Sequence, residues 1–136
     1  MKRTLTPVTF LMIIVLFSML YNGIRIYSIL SYWETLTNYD SHPEPLYMVI
    51  SSGFWFVIGM LLMIGIIRRF SRTPFFIYIS VIAGISWFWI DRIFLQKRFT
   101  AFLFPTIESL LTLSIIFLIL INQDTKNYFR EQARHD

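Results

Sequence analysis

The stretch LYMVISSGFWFVIGMLLMIGII, residues 46–67, contains no Asp, Glu, Lys or Arg. A run of this length and polarity is long enough to cross the hydrocarbon core of a bilayer as an α-helix. Three further apolar runs of similar length accompany it, at about residues 7–30, 74–95 and 101–122. Together the runs fill most of the 136-residue chain. They predict four membrane-spanning helices.

The overall composition agrees with this prediction. Hydrophobic residues make up 56% of the chain and charged residues only 15%. A small soluble domain could hardly bury so many hydrophobic residues away from water. Few residues remain for a domain outside the membrane. We therefore expect an all-α polytopic membrane protein: one domain, residues 1–136, forming an up-down-up-down four-helix transmembrane bundle. Residues 123–136 are expected to be a short cytoplasmic tail.

The distribution of Lys and Arg outside the apolar runs predicts the orientation. Cytoplasmic segments accumulate these residues, and most of them lie before the first run, between the second and third, and after the fourth: Lys2, Arg3, Arg68, Arg69, Arg72, Lys126, Arg130 and Arg134. The opposite side has Arg92, Lys97 and Arg98. Both termini are therefore expected to be cytoplasmic, in a plasma membrane or a bacterial inner membrane.

The start of the fourth helix is left open by Pro105. Either the helix begins near residue 101 and kinks in its first turns, or it begins at Pro105 and residues 99–104 lie along the membrane interface. The second alternative would place Glu108 in the first turn, where the helix dipole favours a carboxylate.

Arg25, Asp91 and Glu108 are charged residues that lie within three different apolar runs. Counting ~1.5 Å of rise per residue from the ends of the runs, we expect all three in the outer third of the bilayer, with Arg25 touching Asp91. A charge in hydrocarbon is costly unless it faces a partner or a water-filled cavity. One arginine and two carboxylates leave a formal excess of one negative charge in this cluster. Arg92, a protonated Glu108 or a bound cation could neutralise it.

Polar residues also recur at helical spacing in these runs, so they should share faces with the charges inside the bundle. The expected neighbours of the cluster are Tyr21, Asn22, Ser51, Ser52, Trp87, Arg92 and Thr112.

Two interpretations of this cluster remain open. The main prediction is a non-catalytic accessory or structural subunit, in which the polar residues act as packing contacts or as a docking surface for another membrane subunit or a second copy. The alternative is a small transporter or ligand-binding membrane protein with an outward-facing site formed by Arg25, Asp91 and Glu108.

Several kinds of chemistry are not expected. The chain has no cysteine, and its two histidines, His42 and His135, lie outside the apolar runs, so thiolate chemistry and the axial ligands of a membrane haem are lacking. A pair of aspartates sharing a proton, as an intramembrane aspartyl mechanism needs, is also missing. We predict no enzyme, catalytic residue, cofactor or metal. The expected partners are the lipid bilayer and a protein subunit. No nucleic-acid partner is expected.

Overall fold

A computed structural model of the protein describes residues 5–38, 44–95 and 102–130. The described residues form six α-helices: α1 (Leu5–Ser31), α2 (Trp33–Asn38), α3 (Pro45–Ile67), α4 (Thr73–Ile90), α5 (Leu103–Ile121) and α6 (Gln123–Arg130). A π-helical turn, Asp91–Leu95, continues α4. No strand occurs in these ranges, and the predicted all-α fold is confirmed.

Within the described ranges, four helices are long and apolar enough to cross a membrane: Pro7–Ser31, Pro45–Ile67, Thr73–Phe94 and Leu103–Ile121. Their bounds agree with the predicted runs to within a few residues. The prediction of four long apolar helices is confirmed.

Close packing of α1 on α3 depends on glycine. A Cβ atom added to Gly59 would lie 2.5 Å from Cγ of Met19, and one added to Gly23 would lie 3.5 Å from the Phe56 ring. Glycine at position 59 lets the two helices approach closely, which is a common device in membrane bundles, whereas the distance at Gly23 is an ordinary van der Waals contact. These contacts also fix the register, since Met19 lies opposite Gly59.

The buried hydrophobic residues concentrate at one end of the molecule. The cluster joins α1, α3, α4, α5 and α6 through Val8, Leu11, Val15, Ile66, Ile77, Ile116 and Phe129. The beginning of α1, the end of α3 and the helix α6 therefore lie at the same end.

The segment predicted as a tail contains the helix α6, which packs against this cluster. Asn122 leaves the helical region with ψ of 133°, and its Oδ1 accepts a hydrogen bond from the Asp124 N–H at 2.9 Å, which starts the new helix. Thr125 and Phe129 are buried, and the Tyr128 hydroxyl donates to the Ile66 carbonyl at 3.2 Å. Residues 123–130 are thus an integral part of the fold, while residues 131–136 lie outside the described ranges.

The turn between α3 and α4 ends α3 with a Schellman motif. The N–H of Phe70 donates to the Gly65 carbonyl at 3.0 Å, and the N–H of Arg69 donates to the Ile66 carbonyl at 3.1 Å. Arg69 has φ of 53°, a left-handed conformation that usually favours glycine. Its guanidinium lies 4.5 Å from the centroid of the Tyr128 ring, so the strained residue links this turn to α6.

Helix α5 begins at Leu103, between the two starting points considered from the sequence; residues 99–101 lie outside the described ranges. Pro105 falls in the first turn, where its missing N–H removes no hydrogen bond from the helix. Glu108 consequently lies beyond the first turn.

Candidate functional site

Two side-chain contacts join α3 to α4 near the beginning of α3. The Tyr47 hydroxyl donates a hydrogen bond to Oδ1 of Asp91, and one turn away Nε1 of Trp87 donates to Oγ of Ser51 at 3.1 Å. The residues are four apart on each helix, so each pair occupies one helix face. The rings of Tyr47 and Trp87 are stacked, with centroids 6.4 Å apart and planes 8° from parallel.

Asp91 is the first residue of the π-helical turn that follows α4. Its backbone N–H donates to the carbonyls of both Trp87 and Phe88. Short π-helical segments within α-helices are frequent at functional sites. The carboxylate that accepts the Tyr47 hydrogen bond therefore stands where the regular helix ends.

A cavity of about 380 Å³ lies between α1, α3, α4 and α5. This volume is within the range of small-molecule sites, roughly 300–1,000 Å³. Seven of the residues predicted for the polar cluster line it: Tyr21, Asn22, Arg25, Ser51, Trp87, Asp91 and Thr112. Apolar and small residues from the same four helices complete the wall. The structure thus brings most of the predicted cluster together around one space.

Arg25 and Asp91 face this cavity without forming the direct contact expected from the sequence. Arg25 is half-buried, and none of its nitrogens lies within 4.0 Å of a carboxylate oxygen of the described residues. Asp91 instead accepts a hydrogen bond from Tyr47.

The helix register explains why the expected contact is missing. The Met19 to Gly59 contact places Arg25 opposite Gly53, and the Ser51 to Trp87 bond places Gly53 opposite the part of α4 just before Trp87. Arg25 therefore lies about six residues, or roughly 9 Å along the helix axis, from the level of Asp91. The prediction that the two residues end level counted from the helix ends, whereas this register shifts the end of α1 relative to the end of α4.

The other predicted members of the cluster lie elsewhere. Glu108 is exposed on α5 and does not line the cavity. Arg92 is half-buried, with its guanidinium 5.4 Å from the centroid of the Phe88 ring. Ser52 is fully buried, and its hydroxyl has no hydrogen-bond partner among the described residues. Among the three charged residues of the predicted cluster, the cavity is therefore lined by Arg25 and Asp91 and not by Glu108.

Tyr47 is the residue of this site that the sequence interpretation missed. As an aromatic residue near the start of an apolar run, it resembled a member of the interfacial aromatic belt. Its spacing of four from Ser51, matched by the same spacing between Trp87 and Asp91, was the available signal. That signal becomes decisive only when the two helices are known to be neighbours.

A second contact region holds α5 against the end of α4. Nε1 of Trp89 donates to Oγ of Ser109 at 3.3 Å, and the Trp89 ring stacks on Phe102 with centroids 6.4 Å apart. Ser109 directly follows Glu108, and neighbouring helical residues point about 100° apart. Anchoring Ser109 inward therefore helps to turn Glu108 outward.

Among the described residues, no group of three or more His, Asp or Glu side chains is placed to hold a metal ion. No family model, curated protein or solved structure matches the chain. The fold and the site together define an all-helical protein with four helices long and apolar enough to cross a membrane, and with a mainly apolar cavity between them that Arg25 and Asp91 line.

Proposed function

We propose that this chain is a non-catalytic subunit of a membrane assembly, inserted with its four long helices in up-down-up-down order. The contacts between α3 and α4 support this order. Near the beginning of α3, Tyr47 and Ser51 meet Asp91 and Trp87 at the end of α4, whereas at the other end Gly65 approaches Thr73 at the beginning of α4. The two helices therefore run in opposite directions.

The proposed orientation places both termini in the cytoplasm of a plasma membrane or bacterial inner membrane. The basic residues of the α3 to α4 turn, Arg68, Arg69 and Arg72, are exposed. They lie at the same end as α6 and the beginning of α1, because Val8, Ile66 and Phe129 share one buried cluster. Gathering the basic segments at one end supports this end as the cytoplasmic one.

Glu108 is the observation that carries the proposed role as a subunit. It lies on an exposed face of a helix long enough to cross a membrane, and its neighbours on that face are also exposed: Phe104, Leu111, Ile115 and Leu118. A carboxyl group facing hydrocarbon costs several kcal/mol unless a partner or water receives it. We propose that a helix of another subunit, or of a second copy, covers this face and supplies a hydrogen-bond donor or a cation to Glu108.

Photo-crosslinking in native membranes tests this role. A photoreactive amino acid at Leu111 should yield an adduct of defined mass, and mass spectrometry would then identify the partner as another protein or a second copy. The same reagent at Phe17, an exposed residue on α1, serves as the control. If Leu111 gives lipid adducts only, as an unpartnered face would, the proposed role is wrong.

A second candidate function is a small transporter or ligand-binding membrane protein with an outward-facing site. The supporting observation is that Arg25 and Asp91 line one cavity of about 380 Å³ without an ion pair between them. Glu108 does not belong to this cavity, so the candidate site consists of Arg25, Asp91 and their polar neighbours.

Access of water to the cavity tests this second candidate. Because the chain has no cysteine, Thr112→Cys introduces a single thiol into the cavity wall. We expect an impermeant, hydrophilic thiol reagent added to the outside of intact cells to label it. Leu118→Cys, on an exposed part of the same helix away from the cavity, should stay unlabelled. Equal labelling of both variants, or of neither, would contradict an outward-facing polar site.

A further inference from the structure

We propose that the cavity binds a zwitterion, whose anionic group lies at Arg25 and whose cationic group lies at Asp91. The inference rests on the second candidate function and names its ligand class. It starts from the presence of two opposite charges that line one cavity and form no ion pair with each other.

Arg25 provides the anionic subsite. A guanidinium carries five N–H donors in a planar fork that suits a phosphate or a carboxylate. Within the described residues Arg25 has no ion pair that would compete for those donors. Two other cavity residues lie beside it in the sequence: Tyr21, one turn earlier, carries a hydroxyl, and Asn22 is 7% exposed and donates its amide to the Ser18 carbonyl at 2.8 Å.

Asp91 and the neighbouring aromatic rings provide the cationic subsite. The Tyr47 hydroxyl holds Oδ1 of Asp91, which fixes the direction of the carboxylate. Trp87 and Trp55 line the same cavity, and the faces of tryptophan rings attract ammonium groups. The Trp87 ring is held by its stack on Tyr47 and by its hydrogen bond to Ser51. Side chains fixed in this way lose little conformational entropy when a ligand binds.

The offset of Arg25 and Asp91 along the helix axes favours a ligand that carries both signs. Arg25 and Asp91 lie at levels roughly 9 Å apart along the helix axes, by the rise per residue. A simple anion would satisfy Arg25 but leave the carboxylate of Asp91 facing it in the same cavity. A simple cation would satisfy Asp91 but leave Arg25 without a partner. A zwitterion complements both charges at once. A ligand with only one of the two charges should bind less tightly, because it leaves either Arg25 or Asp91 unmatched.

Two sources could supply such a ligand: the headgroup of a membrane lipid or a free solute. The first arm of the test uses glycerophosphoethanolamine, glycerol phosphate and ethanolamine as soluble probes of the purified full-length protein, with calorimetry as the readout. We expect the zwitterion to bind at least ~10-fold more tightly than either half. Asp91→Asn and Arg25→Gln should each weaken zwitterion binding by a similar factor. Arg25→Lys, which keeps the charge but loses the fork, should show an intermediate loss.

The second arm distinguishes the sources. The protein is reconstituted in nanodiscs of phosphatidylethanolamine or of phosphatidylglycerol, and its thermal unfolding midpoint is measured. A midpoint that is raised by phosphatidylethanolamine only when Arg25 and Asp91 are intact identifies the headgroup as the ligand. Arg72→Gln, in the exposed basic turn remote from the cavity, is the matched control and should change neither arm.

The inference is overturned if glycerol phosphate binds as tightly as the zwitterion, if Asp91→Asn has no effect, or if no probe or lipid responds in either arm. Labelling of Thr112→Cys then separates two failures. A labelled cavity without zwitterion binding refutes the ligand class alone, whereas an unlabelled cavity refutes the second candidate function as well.

Discussion

The Tyr47 hydroxyl donates a hydrogen bond to the Asp91 carboxylate, joining the first turn of α3 to the junction between α4 and its π-helical turn. Each of the two residues is half-buried. The bond fixes a charged group within a segment long and apolar enough to cross a membrane.

Removing this hydrogen bond should lower stability in a way that depends on Asp91. Tyr47→Phe keeps the stack on Trp87 but removes the donor, and we expect it to reduce the free energy of unfolding by about 1 kcal/mol, the range found for side-chain bonds between membrane helices. Asp91→Asn and the double variant complete a cycle measured by chemical unfolding in detergent. Strictly additive losses would show that the two side chains do not interact.

Substitution of Gly65 by alanine should destabilise the packing of the end of α3 against the beginning of α4. The added Cβ would lie 2.7 Å from Oγ1 and 3.2 Å from Cγ2 of Thr73, which is 3% exposed. Relieving this overlap should cost about 1–3 kcal/mol. Gly53→Ala is the control, since nothing lies within 4 Å of its added Cβ, and it should stabilise α3 by roughly 0.5–1 kcal/mol. Thermal unfolding midpoints that fall equally for both variants would contradict the close approach of Gly65 to Thr73.

Arg69 offers a test of backbone strain against side-chain contact. At φ of 53°, glycine should be more stable than alanine by about 1 kcal/mol, because only glycine adopts this conformation without steric cost. Both variants lose the contact of the guanidinium with the Tyr128 ring, so their difference isolates the backbone. Equal unfolding free energies of Arg69→Gly and Arg69→Ala would refute the left-handed assignment.

Single cysteines test the proposed orientation. An impermeant thiol reagent added to intact cells should label Ser41→Cys, in the segment that lies outside the described residues, but not Ser71→Cys in the basic turn. Permeabilised cells should show labelling of both variants, which is the control for access. Labelling of Ser71→Cys alone in intact cells would show that the orientation is the opposite of the proposed one.

The long helices were predictable because their signal is local: a run such as residues 46–67 is apolar over a length that nothing but a long helix explains. The relation of Arg25 to Asp91 was not predictable in the same way. Their depths depend on the register between α1 and α3, which the contact of Met19 with Gly59 sets, and no count from a helix end contains that information.

The outward position of Glu108 was hidden for a similar reason. The residues that share a helix face with Glu108 could be listed from the sequence. Whether that face points inward depends on how α5 is rotated about its own axis. The bond between Trp89 and Ser109 shows the rotation only after the helices are placed. The packing of α6 against the core was not predicted because its two buried residues, Thr125 and Phe129, are surrounded by charged and polar ones.

The packing of α6 has a consequence for biosynthesis. Phe129 shares its buried cluster with Val8 and Leu11, so these residues of α1 complete their burial only after α6, which follows the four long helices in the chain, has been synthesised. Until then the beginning of α1 keeps part of its apolar surface uncovered. A chain interrupted before α6 would therefore leave Val8 and Leu11 without the Phe129 side chain that packs beside them.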